Sequence, residues 1–227
     1  FPDKVIFSQL EGHIWPMAGA AHMSKPLTPS SELVPVTYAE ALLQLAGELG
    51  VGREQLLSAA GLRAEQLHSP TGRLSFTDFH QLASAALLRC YEPALGLLLG
   101  LRLNASAHGI LGYALLSSAN LGKAVHFALR YYRVLGLTFD LELVDNPDSL
   151  ELRASESIPL GMLSRFAAEG LFGSLYAIAQ FLLGELPQGV EIGFAYPEPV
   201  HARRYHEAFG VAAAFAVASA NLRLTST

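Results

Sequence analysis

The spacing of polar and apolar residues predicts that the first third of the chain is helical. Thr37 and Glu40 have the spacing of a capping box, in which two side chains satisfy free backbone N–H groups at a helix start. Ser75 and Asp78 repeat that spacing before a second apolar periodic segment. Gly50 predicts the end of the first helix, because glycine readily adopts the left-handed backbone that closes helices. Several helices are therefore expected before the middle of the chain.

Alternation of apolar and polar residues predicts strands in the second half. Leu141 and Leu143 alternate with Glu142, and the alternation resumes at Leu150 after a turn over 145–148, which is typical of an antiparallel hairpin. A short helix is expected at 205–209. The predicted strands are 137–143, 150–152, 190–196 and a final hairpin across 213–225.

Segment 160–184 is apolar nearly all round and predicts a long helix that covers the apolar face of the sheet. Its interior charges, Arg165 and Glu169, stand four residues apart and are expected to pair on one face. Four small residues favour close contact with a second helix over a cavity wall: Gly170, Gly173, Ser174 and Ala177. The predicted fold class is α+β, a helical N-terminal third followed by an antiparallel sheet packed against a long apolar helix.

Composition indicates a soluble intracellular protein with surplus apolar surface. Hydrophobic residues make up 51% of the chain, yet the densest apolar run, 94–101, is too short to cross a bilayer. The surplus favours a ligand cavity or an oligomer interface, such as that of a homodimer. Cys90 is the single cysteine, so no internal disulfide can form and a cytoplasmic location fits best.

Charge and motifs argue against direct DNA binding and against catalysis. The net charge is -5, and segment 51–67, the best helix-turn-helix candidate, fits ordinary helical packing better. Signatures of hydrolases, nucleotide-binding proteins and zinc proteases are absent from the sequence. His201 and His206 stand five apart, a spacing that disfavours a helical metal pair. No enzyme activity, cofactor or metal is therefore predicted.

The N-terminus is interpreted as two segments that precede the fold. Residues 1–22 end in a run that looks like a cloning junction, so we interpret them as an added tail. Residues 23–36 form a turn-rich lead-in. The folded region is therefore expected over 37–227.

A series of landmarks in fixed order points to a known family. The most informative part is His108–Gly136, where a short segment with serine and asparagine separates two predicted helices and a predicted strand follows. The landmarks are the helical lead-in from Tyr38, GILGYALLSSANLGKAV at 109–125, the following hairpin, Tyr196-Pro197, Tyr205-His206-x-x-Phe209-Gly210 and Asn221-Leu222. Together they resemble the N-terminal effector-binding (arabinose-binding-like) domain of AraC-type bacterial transcription regulators.

The resemblance implies a ligand sensor that lacks its DNA-binding partner domain. In such regulators a C-terminal domain with two helix-turn-helix motifs binds DNA, and this chain is expected to end before it. The apolar surplus favours an amphipathic effector such as a fatty acid or aromatic acid, with Arg165 or Arg130 binding its carboxylate. A polar amino acid is the second candidate, and an enzyme of small hydrophobic substrates is the rival class.

The candidate ligand-binding residues lie on the predicted helices and strands that flank this apolar core. They are Tyr113, Arg130, Tyr131, Phe139, Arg165, Phe166, Glu169, Phe172, Tyr176 and Phe194. Arg130 belongs to a basic stripe, which in most proteins is only a solvated helix face. The aromatic members are expected to line a pocket between helix 160–184 and the sheet.

We predict that the chain by itself does not bind DNA specifically, because it is acidic and lacks a basic recognition helix. Filter binding at moderate salt, with the promoter beside its own gene, should show complexes no tighter than roughly micromolar. A tight complex that depends on the promoter sequence would contradict the prediction.

Overall fold

The computed structural model describes residues 32–108, 138–146, 149–184 and 189–225, together with residues 112, 117, 129 and 132. Leu129 and Tyr132, the two described positions of the helix expected over 121–135, are both helical and pack against the core. Several sequence predictions lie outside the described residues: the tail 1–22, residues 23–31 of the lead-in, and the candidate ligand contacts Tyr113, Arg130 and Tyr131.

The first part of the chain is helical, as predicted. Its helices are α1 (Val36–Glu48), α2 (Arg53–Ala59), α3 (Phe76–Cys90) and α4 (Leu95–Arg102), with short 3₁₀ turns at Ala64–Leu67 and Ala105–His108. Two short strands, β1 (Glu32–Pro35) and β2 (Arg73–Ser75), pair antiparallel beside α1 and α3. This small sheet was not predicted, because strands of three or four residues are too short to show an alternation.

One of the two predicted capping boxes is wrong. Ser75 caps α3 by accepting a hydrogen bond from the backbone N–H of Asp78 at 3.0 Å. At the start of α1, however, the helix begins before Thr37, whose hydroxyl instead donates to the carbonyl of Ala107 at 2.7 Å. Glu40 makes no cap and forms an ion pair on the surface. The Thr37 hydroxyl thus joins α1 to the distant 3₁₀ turn.

The second part forms a five-stranded sheet in the order β3-β4-β7-β5-β6. Its strands are β3 (Phe139–Asn146), β4 (Ser149–Glu156), β5 (Val190–Phe194), β6 (Ala213–Phe215) and β7 (Ala220–Thr225). The predicted hairpin is the antiparallel pair of β3 and β4, which starts at Asn146 opposite Ser149.

The predicted final hairpin is wrong, although its two strands exist. β6 pairs in parallel with β5, whereas β7 lies between β4 and β5 and runs antiparallel to both. Parallel neighbours need a crossover connection, and helix α6 (Arg203–Phe209) supplies it between β5 and β6. The sheet is therefore mixed, with one parallel pair at its edge.

The long apolar helix is α5 (Ser164–Leu183), and it packs tightly against α4. A Cβ placed on Gly96 of α4 would lie 2.3 Å from the carbonyl oxygen of Phe166. A Cβ on Gly100 would lie 2.5 Å from that of Gly170. The small residues of α5 therefore serve close helix contact, as predicted. Among the described residues, no helix has the length and apolar character required to span a membrane.

We predict that Gly96→Ala and Gly100→Ala each lower the free energy of unfolding by about 1–3 kcal/mol, because the added methyl group meets backbone that cannot yield. Gly47 offers a matched control in α1, since a Cβ there meets nothing within 4 Å. Gly47→Ala should leave stability unchanged or raise it by up to about 1 kcal/mol. Urea denaturation measures all three, and equal effects would contradict the close contact.

Candidate functional site

A buried carboxylate lies where α4, α5 and α6 meet. Glu169 of α5 is 1% exposed, although it sits within an otherwise apolar helix. One of its oxygens, Oε1, accepts hydrogen bonds from Nε2 of His201 at 2.8 Å and from the hydroxyl of Tyr205. The other, Oε2, lies 3.3 Å from the backbone nitrogen of Leu97. These donors compensate for the loss of water around the carboxylate.

The predicted pair of Arg165 with Glu169 is wrong. Arg165 is exposed, and no ion pair joins it to another described residue. Residues four apart on a helix are neighbours, but this turn of α5 directs Glu169 towards α4 and α6 while Arg165 faces solvent. The true partners of Glu169 stand 32 and 36 residues later in the chain. A single acidic residue in an apolar helix indicates that its carboxylate needs a hydrogen-bond partner, but it does not indicate which residue is that partner.

The backbone of α4 contributes to the site through its first turn. Free N–H groups at a helix N-terminus carry partial positive charge, so the Leu97 amide favours a carboxylate. Gly96 makes this approach possible, since a Cβ there would lie 2.8 Å from Oε2 of Glu169. The glycine contact between the helices therefore also creates room for the carboxylate.

Two tyrosine hydroxyls extend the network towards the surface. Tyr205 is fully buried and donates its hydrogen to Glu169, so it accepts from the hydroxyl of half-buried Tyr196 at 3.0 Å. Burial raises the pKa of Tyr205, and the negative charge of Glu169 raises it further. Burial also raises the pKa of Tyr196, although the positive charge of Arg165 opposes the rise. Both phenols therefore remain protonated at physiological pH.

His201 stands at the other end of the network and has one unsatisfied ring nitrogen. The residue is 8% exposed, and its ring stacks on Tyr205 with centroids 5.5 Å apart. Its Nε2 binds Glu169, whereas its Nδ1 is buried and has no hydrogen-bond partner among the described residues. Buried polar atoms are nearly always paired, so this nitrogen requires an explanation. Neither His201 nor Tyr205 was among the predicted ligand contacts.

The aromatic candidates form a packed layer between α5 and β5. Phe172 and Phe194 are fully buried, and their rings meet edge to face with centroids 5.5 Å apart. Tyr176 is half-buried and packs against Phe209 at 5.2 Å. Phe139 and Phe166 are buried members of the same core. These side chains pack against one another where the ligand pocket was predicted, and the pocket itself stays a prediction.

A second buried cluster joins the helical part of the chain to α5. Nε2 of His108 lies 2.9 Å from the hydroxyl oxygen of Ser174 and 3.0 Å from the carbonyl of Leu103, and Nδ1 hydrogen-bonds the hydroxyl of Tyr38. Burial lowers the pKa of His108, which favours the neutral ring. Ser174 donates its own hydrogen to Leu103 at 2.6 Å, so His108 is not placed to remove it. The cluster is structural.

The described residues hold no group of three or more histidine, cysteine or acidic side chains close enough to bind a metal ion. His201 and His206 do not converge, because His201 is buried beside Glu169 while His206 is exposed. What the arrangement offers is a buried carboxylate with hydrogen-bond donors around it.

Comparisons with known proteins identify the family. Residues 50–227 match the arabinose-binding domain found at the N-terminus of AraC transcription regulators. The chain is 65% identical over 193 residues to an ornithine utilization regulator of Pseudomonas aeruginosa, covering 85% of this chain and 57% of that protein. An uncharacterised helix-turn-helix-type regulator of Mycobacterium tuberculosis is 24% identical over 175 residues, covering 76% of this chain and 47% of the relative.

A solved structure supports the fold. The transcriptional regulator CdpR of Pseudomonas aeruginosa superposes with a TM-score of 0.57 at 20% identity, over 84% of this chain and 55% of that one. The chain thus spans about half the length of the proteins it matches. The relatives are transcription regulators and not enzymes. The chain belongs to the family of N-terminal arabinose-binding domains of AraC transcription regulators.

Proposed function

We propose that this domain senses a basic amino acid of the ornithine class and passes its occupancy to an attached DNA-binding domain. The observation that carries the proposal is the 65% identity to an ornithine utilization regulator. Identity at this level over 193 residues supports a similar effector. Within the pair of effector classes that the sequence left open, the amino acid is therefore preferred over the amphipathic acid.

The charges on α5 support a zwitterionic effector. An amino acid needs an acceptor for its ammonium group and a cation for its carboxylate. Arg165 presents an exposed guanidinium one helical turn from the buried carboxylate of Glu169. Both charges act on the hydroxyl of Tyr196: Glu169 raises its pKa and Arg165 lowers it. We infer that Arg165 binds the effector carboxylate and that the polar network beneath it recognises the ammonium groups.

The mechanism that we propose is a shift between two arrangements of the domain. A ligand changes an equilibrium only through its different affinity for the two states. The Glu169 network ties together α4, α5 and α6, so an effector that changes these hydrogen bonds favours a different packing of the three helices. That change would then alter how the DNA-binding domain is held.

A fatty acid or aromatic acid is the second candidate effector, favoured by the apolar content of 51%. Such a ligand requires apolar space, and the residues proposed to line it are Phe139, Phe166, Phe172, Tyr176 and Phe194. Phe172 and Phe194 already contact one another. An acyl chain would therefore have to separate these rings or bind beside them.

We predict that L-ornithine binds the domain and stabilises it, whereas decanoate and benzoate do not. At a ligand concentration of 100 times Kd the free energy of unfolding should rise by about 2.7 kcal/mol. Calorimetric titration gives the affinity, and thermal unfolding at fixed protein concentration gives the shift. L-Glutamate controls for nonspecific effects of an amino acid. Tighter binding of decanoate than of ornithine would reverse the assignment.

We also predict that Arg165→Gln weakens ornithine binding about tenfold, as expected for a lost charge-assisted hydrogen bond. Its stability should change by no more than about 0.5 kcal/mol, because the residue is exposed and makes no ion pair with a described residue. Arg203→Gln is the matched control, since the Arg203 side chain is 90% exposed and pairs with the exposed Glu207. Equal affinities in both variants would remove Arg165 from the site.

A further inference from the structure

Nδ1 of His201 is a buried ring nitrogen without a hydrogen-bond partner among the described residues. Burial removes this atom from water, and the part of the chain that the structure describes supplies no partner for it. An unpaired buried polar atom is a cost that native proteins rarely accept without a functional reason. The opposite nitrogen of the same ring is satisfied by Glu169 at 2.8 Å.

The bond to Glu169 determines what Nδ1 can bind. A carboxylate accepts hydrogen bonds, so in the neutral ring the hydrogen lies on Nε2 and a lone pair remains on Nδ1. The same bond to Glu169 fixes the position of the ring. Stacking on Tyr205, with 23° between the ring planes, holds the orientation. Nδ1 is therefore a hydrogen-bond acceptor in a fixed position.

A cationic donor fits this acceptor best. The negative charge of Glu169 lies on the opposite side of the imidazole, so a positive group at Nδ1 gains a favourable electrostatic interaction with it. A metal ion is disfavoured, because the described residues bring no three metal-ligating side chains together. An ammonium group provides both the hydrogen and the charge.

The position of His201 in the chain gives a route to the site. The residue lies between β5 and α6, and its neighbour Val200 is 99% exposed. The buried ring of His201 therefore belongs to a residue that directly follows an exposed one in the chain. Binding at Nδ1 therefore requires a local shift of the connection around Val200 that exposes the nitrogen.

We propose that Nδ1 of His201, oriented by Glu169, accepts a hydrogen bond from an ammonium group of the effector. The proposal rests on the proposed function, since it names the contact that recognises the amine of that effector. It makes His201 a binding residue, with Glu169 and Tyr205 as the residues that position it.

Two variants separate the roles of the two ring nitrogens. In His201→Gln the amide nitrogen takes the place of Nε2 and still donates to Glu169, but the acceptor at Nδ1 is lost. In His201→Asn the amide oxygen takes the place of Nδ1, but the donor to Glu169 is lost. We expect His201→Gln to unfold near the wild-type temperature and to bind L-ornithine at least about tenfold more weakly, and His201→Asn to unfold at a lower temperature.

Ligand analogues show whether the lost contact was to an amine. L-Norvaline lacks the side-chain amine of ornithine, and 5-aminopentanoate lacks its α-amine. For the analogue without the amine that contacts His201, wild type and His201→Gln should bind equally well in calorimetric titrations. An equal loss for ornithine and both analogues would overturn the proposal, because it would show a general effect of the substitution on the site.

Imidazole nitrogen NMR of the wild-type protein gives a readout that needs no variant. The Nδ1 resonance of His201 should have the position of an unprotonated nitrogen and should move when ornithine is added. The proposal is wrong if no histidine Nδ1 resonance moves, or if the affinity of His201→Gln for ornithine is within twofold of the wild-type affinity. In either case Nδ1 accepts its hydrogen bond from water and not from the effector. If wild type binds none of the three ligands, the proposed function itself fails.

Discussion

The need of one buried carboxylate for hydrogen-bond donors organises the middle of this domain. Glu169 lies in the apolar helix α5, away from water. An ionised carboxylate in such surroundings costs several kcal/mol unless donors surround it. The donors come from the first turn of α4 and from the region of α6, so one side chain ties three helices together. Removing any donor leaves part of that cost uncompensated.

The glycines at the contact between α4 and α5 serve the same carboxylate. Close approach of the two helices brings the Leu97 amide within reach of Glu169, and side chains at Gly96 or Gly100 would prevent it. Helix pairs with small residues at the contact gain dispersion interactions along their whole length. In this domain the close contact also delivers a backbone donor to a charge, so packing and electrostatics depend on the same residues.

Local elements could be predicted from the sequence, whereas their partners could not. Periodicity identified α5 and the β3–β4 hairpin, because alternation and helical spacing are properties of adjacent residues. The same periodicity predicted the wrong pairing for β6 and β7. Alternation shows which face of a strand is apolar, but it does not show which strand is its neighbour in the sheet. The same limit explains the wrong partner for Glu169. A pair four residues apart is visible in a sequence, but a contact with His201 depends on the completed fold.

The order of strands in the sheet has a consequence for how the chain folds as it is synthesised. β7 is the last of the described strands along the chain, yet it lies in the middle of the sheet between β4 and β5. Until Ala220–Thr225 leaves the ribosome, β4 and β5 each present an unpaired edge to solvent. Such edges pair readily with other chains, so the incomplete sheet is more prone to aggregation than the finished one. The long sequence separation between these strands also makes closure of the sheet a late and slow step.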